Sequence, residues 1–394
     1  MKRILLYSCL MLMSLAGHAQ LEVDVDNINA ESGKSSKIGN LFKKAKNFAD
    51  SRSVSNVDTL YIETPNQPWR ISVDSYLSQS DLLMKSTIDG DMFFADAEGA
   101  LQFQPRIRTD VSTSVGVRVG YKGLAVHYAQ HVSGDKGRDL SVSSAGTWYC
   151  AHLRLHEFKT TEPRLRYKGN FYDDEAEDFK WEDRTFSGQT ASPIKAKTVV
   201  LDGYYIFNKR RFSYKAAYRQ TVIQRRSAGS WLAGAMFYYS DFRFDDLSNA
   251  ELVFYMNNVG RIKQWQANVG AGYGYNFVPA KGWLISAMAM PMLTVYNHVD
   301  FYNYNSYYLA AAQAEEFIDP EEVLPEDRWM TRDRIEKMNG RISVNFNARL
   351  SITYNWDRYF VNLNGQFYNF NYHHKNNRGR LNDWYANAAI GVRL

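Results

Sequence analysis

Several residues that can transfer a proton or hold a metal lie close together in the middle of the chain. Alternation of polar and apolar residues predicts strands over 124–132 and 147–158, with these residues on their polar faces. If the loop between the strands centres near residue 139 or 140, His127 lies close to His152 across the pair. We call this set the polar cluster; its members are His127, His131, Cys150, His152, Arg154 and His156.

The polar cluster admits three interpretations. Histidine and cysteine supply nitrogen and sulfur ligands, so three or four of them together would suit a metal or redox centre. Histidine also titrates near neutral pH and serves in acid/base catalysis. The third interpretation, which we favour, is that these residues only fill a polar interior. The sequence accordingly predicts no metal and no cofactor.

A second set of residues predicts an ion-pair network. In strands predicted over 196–207 and 212–224, Asp202 would face inward, opposite the face that carries Lys215 and Arg219. Charges removed from bulk water need partners, so a carboxylate beside two cations is expected to play a structural part. The alternative is an acid for catalysis or an anchor for a substrate.

Two basic runs are expected at the ends of these strands. They could bind the phosphates of outer-membrane lipid and lipopolysaccharide, or they could be ordinary solvated turns. The residues are Lys209, Arg210, Arg211, Arg225 and Arg226.

Other functional classes are disfavoured. Lysine and arginine number 47 against 42 acids, for a formal net charge of +5, and the charges are interspersed, so no nucleic-acid partner is indicated. No glycine-rich nucleotide loop, serine-hydrolase elbow or HExxH motif occurs. The acidic loops lack the spacing of a calcium loop.

The elements that would position these residues are strands. Along 341–356 apolar residues alternate strictly with polar ones, which fits a period of two and no helix. After residue 19 no run approaches the roughly 18 apolar residues of a transmembrane helix, although the chain holds 27 Tyr, 22 Phe and 9 Trp. Strands that face lipid on one side and a polar lumen on the other explain both facts. The apolar positions are Ile342, Val344, Phe346, Ala348, Leu350, Ile352, Tyr354 and Trp356.

The predicted fold is therefore all-β: a closed antiparallel transmembrane β-barrel of about 12 strands, between 10 and 14 and even in number. The last strand ends at Leu394. Further strands are predicted over 111–121, 124–132, 147–158, 164–172, 196–207, 212–224, 229–241, 261–278, 283–297, 361–367 and 384–394, with less regular ones between 70 and 109.

Two long insertions, 173–195 and 298–340, interrupt the predicted hairpins. Long loops of such barrels point out of the cell. The second insertion contains a helical stretch, Tyr307–Phe317, and is expected to cover part of the barrel mouth.

The N-terminus predicts export. Residues 1–19 combine Lys2 and Arg3, an apolar run and the small-residue site Gly17-His18-Ala19, which together indicate a signal peptide. Residues 20–60 are expected to form a periplasmic segment with a short amphipathic helix near 38–48, and residues 61–394 the barrel. After removal of Cys9, Cys150 has no partner for a disulfide. The predicted location is the outer membrane of a Gram-negative cell, reached through the barrel-assembly machinery.

Three strings in the central third carry a family resemblance. They are Gly203-Tyr-Tyr-Ile-Phe-Asn-Lys-Arg-Arg-Phe-Ser-Tyr-Lys-Ala-Ala217, Gln224-Arg-Arg-Ser-Ala-Gly-Ser230 and Gly272-Tyr-Gly-Tyr-Asn-Phe-Val278. From about Asp58 onward the chain resembles domain of unknown function 4421, a family of predicted outer-membrane barrels. The resemblance implies compartment and fold, and it assigns no catalytic residue.

Three functional hypotheses follow. The first is a barrel that binds a ligand or transports it across the outer membrane, with the ligand unknown. The second is a structural or assembly anchor of the cell envelope. The third is a lipid-modifying enzyme, which would need a nucleophile and a base near one rim; we could not assemble that pair, so an enzyme is the less favoured class.

Overall fold

The structure is a computed structural model that describes residues 56–90, 94, 96–161, 163–187, 190–314, 323–374 and 377–394. The chain divides into two units, Met1–Ser55 and Asn56–Leu394, and the account below concerns the second. The predicted signal peptide and the helix near 38–48 lie outside the described residues and stay predictions.

Strands dominate the described part of the chain. The first nine are β1 (Ile62–Glu63), β2 (Trp69–Asp89), β3 (Ala97–Arg108), β4 (Ser112–Tyr121), β5 (Leu124–Ser133), β6 (Gly137–Ala145), β7 (Tyr149–Thr160), β8 (Pro163–Asp173) and β9 (Asp178–Ser187). The others are β10 (Ile194–Ile206), β11 (Ile223–Gln224), β12 (Ala228–Arg243), β13 (Val259–Phe277), β14 (Trp283–Ser306), β15 (Met330–Asn339), β16 (Val344–Trp356), β17 (Tyr359–His374) and β18 (Asn377–Arg393).

Twelve of these strands form a closed antiparallel ring. Its order is β2, β4, β5, β6, β7, β10, β12, β13, β14, β16, β17 and β18, and β18 pairs back with β2 from Arg378↔Lys85 to Arg393↔Arg70. The predicted all-β barrel of about twelve strands is confirmed. Both Trp69 and Leu394 lie at one end, which we call the terminal end; the opposite end is the loop end.

The two faces of the ring follow the predicted alternation. In β16 the side chains of Phe346, Leu350 and Ile352 are exposed, whereas Arg349 and Ser351 are buried inside. This is the inverse of a soluble protein, in which apolar side chains turn inward. At the terminal end, exposed tryptophans lie beside tyrosines in an aromatic girdle, with ring centroids 4.8 to 5.9 Å apart; the pairs are Trp148 and Tyr149, Trp231 and Tyr273, Trp283 and Tyr354, and Trp356 and Tyr359.

Two of the predicted loops contain strands in the structure. The expected loop near residue 139 is strand β6, a member of the ring. The strand expected at 164–172 exists as β8 but pairs with β3 and β9 outside the ring, and β9 occupies residues 178–187 of the expected loop 173–195. These segments alternate as strands do, and alternation does not reveal which partner a strand takes.

The largest correction concerns residues 207–227, which we call the plug. A strand was expected over 212–224, but the segment contains the helix α1 (Tyr214–Tyr218) and the short β11, which pairs with β1. The hydroxyl of Ser213 accepts a hydrogen bond from the Ala216 backbone nitrogen at 3.2 Å and so caps the helix. After Ala216 the polar/apolar alternation fails at Ala217, which is consistent with helix.

The plug fills the lumen from the terminal end. Phe212 and Tyr214 share one buried apolar cluster with Leu232 and Met288 of the wall. Ser351 donates a hydrogen bond to the Ala217 carbonyl at 2.7 Å, so the plug is also tied to β16. The lumen is therefore packed near the terminal end.

Two more helices lie at the loop end: α2 (Ala250–Tyr255), preceded by a 3-10 turn at Leu247–Asn249, and α3 (Tyr307–Gln313), followed by one at Pro325–Asp327. The helix expected over Tyr307–Phe317 is thus present as α3, and residues 315–322 lie outside the description. Within the described residues no helix has the length and hydrophobicity needed to span a bilayer.

The outward face yields a first prediction. Leu350, at the midpoint of β16, is 63% exposed. Leu350→Arg should block membrane assembly, because arginine on the lipid face near mid-bilayer costs about 2 to 4 kcal/mol. The fraction of protein that shows heat-dependent gel mobility measures assembly.

Trp181→Arg is the control, because Trp181 is 66% exposed but belongs to β9 outside the ring. Equal assembly of the two variants would refute the lipid-facing assignment. Ser351→Arg, at the neighbouring position that faces the lumen, is unsuitable as a control because Ser351 contacts the plug.

Candidate functional site

Charged residues line the lumen around the plug, and the first group centres on Asp202 in β10. Its side chain is 0% exposed. It accepts hydrogen bonds from Arg349 Nη2 at 2.7 Å and from Tyr368 Oη at 3.0 Å, and His152 Nδ1 lies 3.3 Å away. Arg349 also donates to the Tyr214 hydroxyl of the plug. This group therefore links four wall strands, β7, β10, β16 and β17, to the plug.

A second group joins β6, β7 and β18. Arg154 Nε donates to Asp139 Oδ2 at 3.0 Å, and its Nη1 donates to Asp383 Oδ2 at 3.2 Å. His156 Nδ1 lies 2.8 Å from Asp139 Oδ2. Both acids are buried, so each buried charge in this group has an opposite charge beside it.

A third group joins β2, β4 and β5. His127 Nε2 is 2.9 Å from Asp74 Oδ1, and Arg118 Nη2 is 3.7 Å from Asp74 Oδ2. Between the three groups is a cavity of about 40 Å³, lined by Arg118, Arg219 and other polar residues. Since one water needs roughly 10 to 15 Å³, this cavity holds only a few waters or one small ion.

The polar cluster is divided among these groups. Because β6 separates β5 from β7, His127 lies opposite Ser141 rather than near His152. His131 bonds the Asp135 carbonyl at 2.7 Å, and Cys150 is buried in β7. In the part of the chain that the structure describes, no group of three or more His, Cys, Asp or Glu residues is placed to hold a metal.

Asp202 does not pair with Lys215 or Arg219, the two partners that the sequence predicted. Lys215 is half-buried in the plug and has no ion pair among the described residues, and Arg219 Nη1 contacts only the Tyr218 carbonyl at 3.4 Å. The pairing with Arg349, 147 residues away, exists because the ring closes β16 across the lumen from β10. No local spacing indicates such a contact.

The basic runs lie at the terminal end, at the base of the plug. Arg225 pairs with Glu63 at 2.9 Å and Arg211 with Asp58 at 3.6 Å. Arg226 lies over the ring of Tyr61, and Lys209 and Arg210 are exposed. Arg211, Arg225 and Arg226 therefore contact the segment that leads into the barrel.

Sequence reasoning missed a chamber of about 240 Å³ at the loop end, above the plug. Apolar residues make up about half of its lining, which comes mostly from seven strands. Exposed Lys85 and Arg378 mark its edge. Representative apolar lining residues are Met84, Phe103, Ile262, Val299, Phe370 and Leu381.

Two buried donors belong to the same chamber. Tyr372 of β17 and Asn303 of β14 both line it, and among the described residues the Tyr372 hydroxyl and the Asn303 amide nitrogen have no hydrogen-bond partner. A buried donor without a partner is costly, so a ligand oxygen or a water would be favoured there. The segment 298–340, expected to cover the mouth, supplies Val299, Asn303 and Met338 to this lining.

A model of the family described as domain of unknown function (DUF4421) matches residues 56–393. No curated protein matches the chain.

Among solved structures, the chain is similar to the beta domain of the Bordetella autotransporter BrkA, with 9% identity, coverage of 81% of this chain and 99% of that chain, and a TM-score of 0.25. It is also similar to the outer membrane protease OmpT from Escherichia coli, with 8% identity, coverage of 82% and 97%, and a TM-score of 0.29. The translocator domain of the autotransporter NalP from Neisseria meningitidis gives 8% identity, 92% and 97% coverage, and 0.27. These similarities are weak, and the fold described above rests on the hydrogen-bonded ring of this chain.

Proposed function

The chain belongs to the DUF4421 family, and we propose that it is an outer-membrane β-barrel that binds a small, mainly apolar molecule in its loop-end chamber. Its own plug closes the lumen below that chamber. The observation that carries the proposal is a chamber that combines apolar side chains with two unpartnered donors, Tyr372 and Asn303.

Membrane insertion is supported by the outward face of the ring. Its exposed apolar side chains and the aromatic girdle at the terminal end are features that lipid-facing barrels share. Apart from the plug, the connections at the terminal end are short turns, whereas the long segments outside the ring lie at the loop end. This difference favours a periplasmic terminal end and an extracellular loop end. In this orientation the basic runs would meet the inner leaflet and not lipopolysaccharide. Assembly by the barrel-assembly machinery stays a prediction.

The chemistry of the chamber limits its ligand. The apolar side chains of the lining, such as Phe103, Ile262 and Leu381, favour a ligand with a hydrocarbon body. The charged residues at the edge, such as Lys85 and Arg378, are exposed, so the interior offers no buried charge to a charged ligand. Tyr372 and Asn303 donate and so would select an acceptor oxygen. The ligand class is therefore a neutral apolar molecule with a carbonyl or ether oxygen.

A pair of probes tests the proposal: 2-acetylnaphthalene, which has a carbonyl oxygen, and 2-ethylnaphthalene, which lacks it. Calorimetric titration of the full chain in lipid nanodiscs should show tighter binding of the ketone. Tyr372→Phe should weaken ketone binding by up to about tenfold, the effect of one hydrogen bond, and leave the hydrocarbon unchanged.

Tyr172→Phe, on β8 outside the chamber, is the matched control and should change neither affinity. Binding of the ketone no greater than to empty nanodiscs would overturn the proposal. An equal loss of both probes in Tyr372→Phe would show that the hydroxyl shapes the chamber and does not donate to the ligand. The structural-anchor and lipid-enzyme hypotheses have no specific contact in their favour, and failure of both probes to bind would return them to consideration.

A further inference from the structure

Three buried arginines at the terminal end of the lumen have no acidic partner. Arg70 of β2, Arg219 of the plug and Arg393 of β18 are 2%, 8% and 1% exposed. Among the described residues none of the three forms a salt bridge, whereas Arg118, Arg154 and Arg349 each contact an aspartate. The nearby acid Glu63 is already paired with Arg225. A guanidinium removed from water without a counter-charge is strongly disfavoured.

The three arginines are brought together by ring closure and by the plug. Arg70 and Arg393 lie directly opposite each other where the first and last strands of the ring pair. Like charges in directly opposed positions of a sheet destabilise it. Arg393 Nε donates to the Gln220 carbonyl at 2.8 Å, and Gln220 directly follows Arg219 in the plug. The positive charges of Arg219 and Arg393 both repel that of Arg70.

Most of their hydrogen-bonding capacity is unused. In the described residues, all three guanidinium nitrogens of Arg70, Nε of Arg219 and Nη1 of Arg393 are buried without a partner. The position opposite Arg70 in β4 is Gly120, where a Cβ would lie 2.7 Å from Arg70 Nη2. Gly120 therefore leaves space for the Arg70 guanidinium, which forms no hydrogen bond with an acceptor among the described residues.

We propose that Arg70, Arg219 and Arg393 form a site for a small oxyanion of the phosphate class. Guanidinium groups bind such oxyanions through paired, charge-assisted hydrogen bonds. Of the three arginines, Arg219 lines the cavity of about 40 Å³, which is large enough for one such ion and too small for an organic phosphate. Strands of the ring separate the site from the bilayer, so a free ion occupies it and not a lipid headgroup.

Occupancy has a structural consequence. The anion neutralises repulsion between Arg70 and Arg393 at the closing pair of strands, and it links both to Arg219 of the plug. The plug is then held in the lumen by an ion that can leave, and this inference stands independently of any ligand in the loop-end chamber.

The test is a titration of the full chain in nanodiscs with inorganic phosphate at constant ionic strength, with chloride as the balancing ion. Two readouts are calorimetric binding and the temperature at which the folded band is lost on gels. Wild type should bind phosphate saturably and unfold at a higher temperature when it is bound. Arg70→Gln and Arg219→Gln should each weaken binding by about tenfold or more, the usual effect of losing bonds to a charged group.

Two further variants keep the proposal falsifiable if an arginine variant fails to fold. Gly120→Ala removes no charge but displaces the Arg70 guanidinium, so it should also weaken phosphate binding. Arg108→Gln, at an exposed position of β3, should not. Phosphate-independent unfolding of wild type with no calorimetric binding would overturn the proposal, and so would undiminished binding by Arg70→Gln and Gly120→Ala.

Discussion

Replacing residues 208–226 with a Gly-Ser linker of equal length should convert a closed barrel into a conducting pore. Side chains just fill a barrel of about eight strands, whereas about sixteen leave an aqueous channel. A ring of twelve lies between these cases, and here the plug occupies the lumen. In planar bilayers, wild type is expected to give no resolved openings and the linker variant a steady open-channel current.

The control replaces the tip of the β8–β9 hairpin, residues 174–177, with Gly-Ser, which leaves the plug in place and should stay closed. Heat-dependent gel mobility shows whether each variant still forms a barrel. A folded linker variant that stays closed would mean that wall side chains alone seal the lumen. Open wild-type channels would show that the plug is not a seal.

The second large effect is expected from Asp202→Ala. The change leaves Arg349 and His152 buried without their carboxylate. Removing one partner of a buried ion pair typically costs about 3 to 5 kcal/mol. The loss of unfolding free energy can be measured by urea titration in lipid, and Asp202→Asn, which keeps acceptor capacity, should lose less.

Asp183→Ala is the matched control, because Asp183 of β9 forms an exposed ion pair with Arg166 of β8, outside the ring. The hydrogen bond from Arg166 lowers the pKa of Asp183 to about 2, so this pair is intact at neutral pH. Its removal should leave the unfolding midpoint nearly unchanged, since exposed pairs contribute little. Equal losses in the two aspartate variants would contradict the structural importance of the lumen network.

A transporter would need two steps here: entry of the ligand into the chamber and its passage past the plug. A ligand can enter the chamber from the loop end without any movement of the plug. Passage to the terminal end requires the contacts of Ser351 and Arg349 with the plug to break. The conductance and probe-binding experiments therefore report on different parts of the molecule.

Much of the barrel could be read from local pattern. In β16 a period of two separates the residues that face outward, such as Leu350, from those that face the lumen, such as Arg349. That period depends only on the geometry of a single strand. The all-β class, the approximate number of strands and the inward position of Asp202 and His127 were therefore accessible from the sequence.

Partnerships across the lumen were not accessible, because they depend on how the ring closes. The insertion of β6 between β5 and β7 separated His127 from His152, and closure brought Arg349 to Asp202. The sequence predicted a strand in the plug because polar and apolar residues alternate from Phe212 to Ala216. The segment instead forms a helix, which Ser213 caps and whose side chains pack against the barrel wall. Local sequence determined which face each strand turns to the lumen, and only the tertiary structure decided what meets there, since such contacts join residues far apart in the chain.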